Sequence, residues 1–390
     1  MGGNTSDTLT LSDEIWNRDI EKMFTSSKMT EQFNFKAKFL RTIKFNSDKG
    51  EVGSYIFISD TGTITCISNV LPDIEFTQEL DSNQIKNVFK FASSQLIAFS
   101  DEKVYILEYQ TSKFNVITLD IAKPQFFVPL NDKTFVIVTE NGEIHQVAED
   151  NKNQLIFKVE LNSSIIQTSC LNLDQQCILI TTESTSYIIS ISNNPFCKEL
   201  PTFANSEKLI CDDKEIYLTK KGSNSVYKVV YKLDFAFSDP EPITPQTNEN
   251  LIDFTLLSKK LLLIIYQNTV LSYMAGTLGR QISLPSTFSP KICFPLTRIG
   301  YFILVCNGGH ILLCKLSDGS APADKNEKKM IELSWLHKCE VTQIVSIQES
   351  SFLTFDECGI AVLWENLPNW WNAPHFLDMF GEKENSALQK

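Results

Sequence analysis

The chain has 390 residues and a formal net charge of −12, which argues against broad nucleic-acid binding, because phosphate neutralisation needs clustered Lys and Arg. Hydrophobic residues are 43% and charged residues 21% of the total, values of an ordinary globular protein and not of a disordered chain. The longest apolar runs, such as Leu261 to Tyr266, are far too short to span a bilayer as a helix.

The first six residues, Met1-Gly2-Gly3-Asn4-Thr5-Ser6, fit the Met-Gly-x-x-x-Ser pattern of N-myristoylation on Gly2. Asp7 follows where a basic residue would help retention, and a single acyl chain anchors only marginally. No basic region followed by an apolar one opens the chain, so no secretory leader is expected. Over residues 11–24, Leu11, Ile15, Trp16, Ile20, Met23 and Phe24 fall at helical spacing, with Asp13, Glu14, Arg18, Asp19 and Glu21 mostly opposite. With Ser12 as N-cap, the pattern predicts an amphipathic helix of about three to four turns. Its apolar stripe either packs on the chain's own strands or docks, through Trp16 and Ile20, into a partner groove. Self-packing is the stronger expectation, since such a stripe left exposed is a liability.

From there one unit recurs: an apolar strand, a short polar turn, and a second alternating strand. The second strands start at Gly62, Lys103, Gly142, Thr185, Asn224, Asn268, Gly309 and Gly359, at intervals of 41, 39, 43, 39, 44, 41 and 50. The long last interval contains the polar stretch Ser317 to Lys329, read as a loop insertion in which Lys325, Lys328 and Lys329 are solvated. A period near forty with several short strands per unit is what propeller blades produce. Each blade covers its faces only by stacking on neighbours. Innermost strands are predicted near 85–92, 126–130, 165–171, 251–257 and 341–347, and outer strands near 115–119, 155–161 and 330–335. Eight strand sets imply seven or eight blades. Pro368 interrupts the chain after the last hairpin, so an N-terminal strand around Phe35 to Phe39 is expected to fill that blade's outer position and close the ring. With 15 Gly and 14 Pro in the whole chain, the turns must rely on Asn, Asp and Ser.

The last hairpin, Asp356-Glu-Cys-Gly359 running on to Trp364-Glu365, resembles the Asp-x-x-Gly-x-x-x-x-Trp-Asp ending of a WD40 repeat. Asp60-Thr61-Gly62 and Glu140-Asn141-Gly142 look like degenerate versions of the same turn. The Gly-His dipeptide that heads each repeat of that family is missing, which argues against its Asp-His-Ser hydrogen-bond network here. The resemblance implies a platform for protein–protein contacts.

Ten cysteines occur, at 66, 170, 177, 197, 211, 293, 306, 314, 339 and 358, none in CxxC spacing. They read as buried, reduced thiols of a cytosolic or nuclear protein. His145, His310, His337 and His375 form no metal-ligand spacing. His337 and Cys339 share a strand face, but two residues make no zinc site. GxSxG, GxGxxG and P-loop patterns are absent. Asp212 and Asp213 are an acidic pair in a turn, where carboxylates ordinarily bond their own backbone. Thr244-Pro245, in a proline-rich connector, is a short phosphorylation-type dipeptide.

Beyond the last hairpin, Trp370, Trp371, Phe376 and Phe380 form a dense aromatic segment. It is either a cap on the ring or a binding anchor, since Trp buries large area with few torsions to freeze. The expected organisation is therefore an N-terminal extension (1–34), an all-β, WD40-like propeller of four-stranded blades (35–368), and an aromatic segment with a polar tail (369–390). The expected function is a non-catalytic scaffold subunit of a cytoplasmic or nuclear multiprotein complex, with no cofactor and no metal. Two other classes compete with it: an accessory subunit positioning RNA or DNA, which needs a basic stripe, and a propeller enzyme with converging carboxylates at the ring mouth.

Overall fold

The computed structural model of the chain describes residues 37–364 apart from 48–49, 69–73, 82–83, 111, 192–194, 246, 259–260, 275, 296–300, 316–329, 333–336, 338 and 349–350. Within these residues, 31 strands build eight antiparallel sheets, each strand pairing with its neighbours in sequence and none crossing over. Seven sheets have four strands and the last has three among the described residues. These are the blades of an eight-bladed β-propeller. All eight predicted hairpins are present as the second and third strands of a blade.

Two compact units divide the chain. Residues Lys36–Thr247 hold blades 1–5, whose first strands are Phe39–Ser47, Asn87–Ala92, Pro124–Pro129, Ile165–Asn172 and Ser206–Asp212. The other unit holds blades 6–8, whose first strands are Leu251–Ser258, Pro290–Pro295 and Val341–Gln348. Inside each unit the core lies between consecutive blades. Ile43, Ile58, Leu96 and Leu107 fill the space between blades 1 and 2, and Leu263, Ile265, Phe302 and Leu304 that between blades 6 and 7. Each such side chain contributes about 1.5–3 kcal/mol when fully buried.

Second strands depart from simple alternation. Phe135–Thr139 and Leu261–Tyr266 are buried at every residue, because a neighbouring sheet covers each face. Alternation survives at the edge of the blade, as in the fourth strand Ile74–Glu79, whose half-buried residues are Phe76 and Gln78. The shortage of glycine is met as expected: Asn151, Asn205, Asp213 and Asp234 all take positive φ, which short polar side chains tolerate best.

One expectation is corrected. Among the described residues, the strand that begins at Phe39 belongs to blade 1 and not to the last blade. Phe39 opens the first strand of blade 1 and runs antiparallel to the second, from Phe39 opposite Ile58 to Ser47 opposite Gly50. A hairpin this local costs far less closure entropy than pairing with a strand some three hundred residues away. The predicted helix at 11–24, the loop at 317–329 and the aromatic segment after 368 lie outside the described residues. Among the described residues no helix is long and apolar enough to cross a membrane.

Candidate functional site

At the end of several second strands, one buried oxygen organises the following turn. Ser59, Ser100 and Thr139 accept the backbone N–H of Thr63 (2.9 Å), Lys103 (3.1 Å) and Glu143 (3.1 Å). Thr182 accepts that of Thr185 at 3.3 Å. In blade 8 the same place is taken by Asp356, whose Oδ1 accepts from Cys358 at 3.0 Å and Ile360 at 2.9 Å. Such short-range bonds fix a turn that would otherwise compete with other conformations.

These turns are tied to the linkers that join successive blades. The amides of Glu140, Lys221, Gln267, Asn307 and Glu357 donate to the carbonyls of Lys123, Asn205, Asn250, Ser289 and Glu340, all at 2.9–3.0 Å. Lys123 and Asn205 also donate backward, to Asp101 O at 2.7 Å and Thr182 O at 2.8 Å. Both sit at positive φ, 54° and 61°. A linker residue that joins two turns needs this left-handed bend, and Lys123 adopts it against the preference of its side chain.

In the unit Lys36–Thr247 this face carries a groove of about 660 Å³ across blades 2 and 3 and the linker into blade 4. Lys86, Lys123 and Lys158 line it together with Asp101, Glu140 and Glu160. Lys86 pairs with Asp101, Lys123 with Glu140 at 2.9 Å, and Lys158 with Glu143 at 3.0 Å. The Lys158 ammonium holds the Glu143 carboxyl below its usual range. With Lys123 and Glu140 55% and 59% exposed, such pairs add little stability and are open to exchange partners. Gln125 also lines the groove, and its Oε1 is buried without a hydrogen-bond partner among the described residues. A buried acceptor left so is uncommon and marks a place for an incoming donor.

A second cluster lies in blade 8. His337 Nδ1 is 2.9 Å from Asp356 Oδ2 and its Nε2 is 2.7 Å from Thr354 Oγ1, with both the His337 and Asp356 side chains 0% exposed. A neutral imidazole satisfies both bonds, donating from Nδ1 to the carboxylate and accepting the Thr354 hydroxyl at Nε2. This corrects the expectation that an Asp-His-Ser network is missing: it is present here with Thr in the hydroxyl position. It was hidden because Leu336 stands where the family has Gly. The signal available was spacing, a histidine 17 residues before Thr354 and 19 before Asp356.

Burial pushes the His337 imidazole below its ordinary value, outweighing the Asp356 carboxylate that pulls it up. An unfolded imidazole protonates near pH 6.5, so the unfolded state gains protons first as the pH falls. The contribution of this group to stability is therefore fully present above about pH 6.5 and declines below it. Urea midpoints at pH 7.5 and 5.5 are expected to differ more for the wild type than for His337→Gln. Equal acid sensitivity in the two proteins would place the responsible group elsewhere.

The cysteine expectation is also corrected in part. Cys339 and Cys358 are joined in a disulfide, whereas the other eight are free. They stand 19 residues apart, and only the folding of linker against turn brings them together. Of the other histidines, His145 Nδ1 meets Asn153 Oδ1 at 3.1 Å and His310 stands edge-on to Phe288, while His375 lies outside the described residues. Asp212 and Asp213 lie in the tight turn between the first two strands of blade 5, with Asp213 at φ 54°. Thr244 is buried and accepts the N–H of Val226 at 3.2 Å. Among the described residues no three His, Cys, Asp or Glu are grouped to hold a metal. The predicted anchors Trp16, Ile20, Trp370, Trp371, Phe376 and Phe380, with the acyl site Gly2, lie outside the described residues.

No protein-family model matches this chain, and no curated protein matches its sequence. Solved structures do match. The chain is similar to the computationally designed Ika8 protein, with a TM-score of 0.61 at 11% identity over 87% of this chain and 100% of that one. It is similar to the C-terminal WD40 domain of Sif2, with a TM-score of 0.61 at 8% identity over 85% and 99%. Sqt1 of Saccharomyces cerevisiae gives 0.58 at 10% identity over 82% and 93%. Identities this low show the fold alone.

Proposed function

With a WD40-like β-propeller as its frame, we propose that the chain is a non-catalytic, protein-binding scaffold subunit of a cytoplasmic or nuclear complex. The observation that carries this reading is the groove lined by Gln125. A peptide N–H donating to Gln125 Oε1 would satisfy the buried acceptor. The flanking Lys–carboxylate pairs suit an extended segment of mixed charge, which exchanges one ion pair for another at small net cost. Residues 35–368 form the propeller in this reading, and Trp370, Trp371, Phe376 and Phe380 add aromatic anchors from beyond it. Trp16 and Ile20, in the N-terminal extension, are candidate anchors wherever their apolar stripe is not taken up by the chain itself. Gly2, if acylated, adds only a marginal membrane contact.

The test is affinity purification from native extract with the full chain, the triple variant Lys86→Glu, Lys123→Glu and Lys158→Glu, and the double variant Trp370→Ala, Trp371→Ala. All three lysines are substantially exposed, so the triple variant should melt like the wild type. Recovery of a stoichiometric partner is expected to fall about fivefold or more in the triple variant. Undiminished recovery would remove the groove from the interface, and a wild type that emerges without any partner would overturn the scaffold reading.

A further inference from the structure

We propose that Cys339 and Cys358 form a reversible thiol–disulfide exchange site, with a glutathione-class thiol/disulfide couple as co-substrate, that locks the turn of blade 8 onto its linker. The inference stands whether or not the groove binds a protein. Cys358 is exposed, in the turn between Asp356 and Gly359, and Cys339 is half-buried on the linker. In this proposal a small thiol approaches the bond from the solvent side, at Cys358. The other eight cysteines are free. Burial raises the thiols of Cys66, Cys170, Cys197 and Cys314, and pushes Cys177 up to about 12 and Cys211 up to about 11. Such thiols hold little thiolate at neutral pH and react slowly, and Cys293 and Cys306 are buried, which favours exchange at the Cys339–Cys358 pair.

The bond is placed where it alters a mechanical tie. Among the described residues, linker and turn are joined by the cystine, by Glu357 N–H donating to Glu340 O at 2.9 Å, and by His337 with Asp356 at 2.9 Å. The linker also runs hard against Gly309 of blade 7, where an added Cβ would stand 2.5 Å from Cys339 O. Removing the covalent tie leaves two non-covalent ones to hold a segment that faces solvent, and local opening becomes easier.

The chemistry balances without a further reagent. A thiolate RS⁻ attacks Cys358 Sγ, the Sγ–Sγ bond breaks, and the electron pair leaves on Cys339 Sγ, which takes a proton from water. A second RS⁻ attacks the RS sulfur of the mixed disulfide, releasing RSSR and the Cys358 thiolate, which is protonated in turn. Two RSH are oxidised to RSSR while the cystine is reduced to two thiols. Excess RSSR runs the steps backward.

The experiment equilibrates the full native chain in graded mixtures of reduced and oxidised glutathione, then traps thiols by rapid alkylation for peptide mass spectrometry. Cys339 and Cys358 are expected to become alkylated together in one two-electron transition, with the eight others protected until denaturation. Amide hydrogen exchange at Glu357, Cys358 and Ile360 is expected to be about fivefold faster in the reduced protein, and to slow again on adding oxidised glutathione. The variant Cys339→Ser, Cys358→Ser should show the faster exchange in every mixture, which separates loss of the bond from a general effect of the reductant. Cysteines that are alkylated in all mixtures, a bond that persists in reduced glutathione until the chain is denatured, or exchange rates that do not change with the bond would each overturn the proposal.

Discussion

Replacing His337 with alanine is expected to lower the free energy of unfolding by about 3–5 kcal/mol, read from the urea midpoint at constant slope. The reason lies less in the bonds lost than in what remains. Asp356 and Thr354 are both fully buried, and without the imidazole the Asp356 Oδ2 carboxylate oxygen keeps its burial and loses its donor. Its other oxygen still organises the turn through Cys358 and Ile360, so the carboxyl cannot swing out to water without undoing the turn. Truncating both His337 and Asp356 should therefore cost clearly less than the sum of the single changes, because the double variant leaves no orphaned charge. A loss below about 1 kcal/mol for His337→Ala would mean that water reaches Asp356 and that the network is incidental to stability.

The second large effect is expected at Gly142, with Gly222 as its control. Both take nearly the same φ, +78° and +76°. An alanine at either site is held in the left-handed region, which costs about 1–2 kcal/mol. At Gly222 a Cβ meets nothing within 4 Å, whereas at Gly142 it would stand 2.4 Å from Val159 O and 3.0 Å from the Leu161 side chain. Val159 N–H in turn donates to Gly142 O at 2.9 Å, so the linker cannot retreat without breaking that bond. Gly142→Ala is thus expected to lose about 3–4 kcal/mol, against about 1 kcal/mol for Gly222→Ala. The contrast between the two is the measurement. Similar losses would show that only φ matters and that the linker moves freely.

Much of this molecule was legible in its residues. The eight hairpins follow from the recurrence of a turn followed by an alternating strand, a pattern carried locally by Gly62, Gly142, Gly309 and Gly359 and by polar residues elsewhere. Ser59, Ser100 and Thr139 were legible too, had each been read as a hydroxyl closing the strand before a turn, the place that Asp356 occupies in blade 8. The acidic pair Asp212–Asp213 was read as a turn and is one.

What escaped sequence reading depends on segments that are distant along the chain or offset by the packing of one blade on the next. Nothing local in Lys86, Gln125 or Lys158 says that they line one groove, since each belongs to a separate stretch and meets the others only when strands and linkers stack. The same holds for His337 with Thr354 and Asp356, and for Cys339 with Cys358, pairs set by linker-to-turn geometry. The all-β class, the repeat and its hairpins follow from the residues alone, because strand patterning and turn chemistry act over a few neighbouring residues. Which polar groups converge and which sulfurs meet depends on contacts that exist only after linkers, turns and blades have packed.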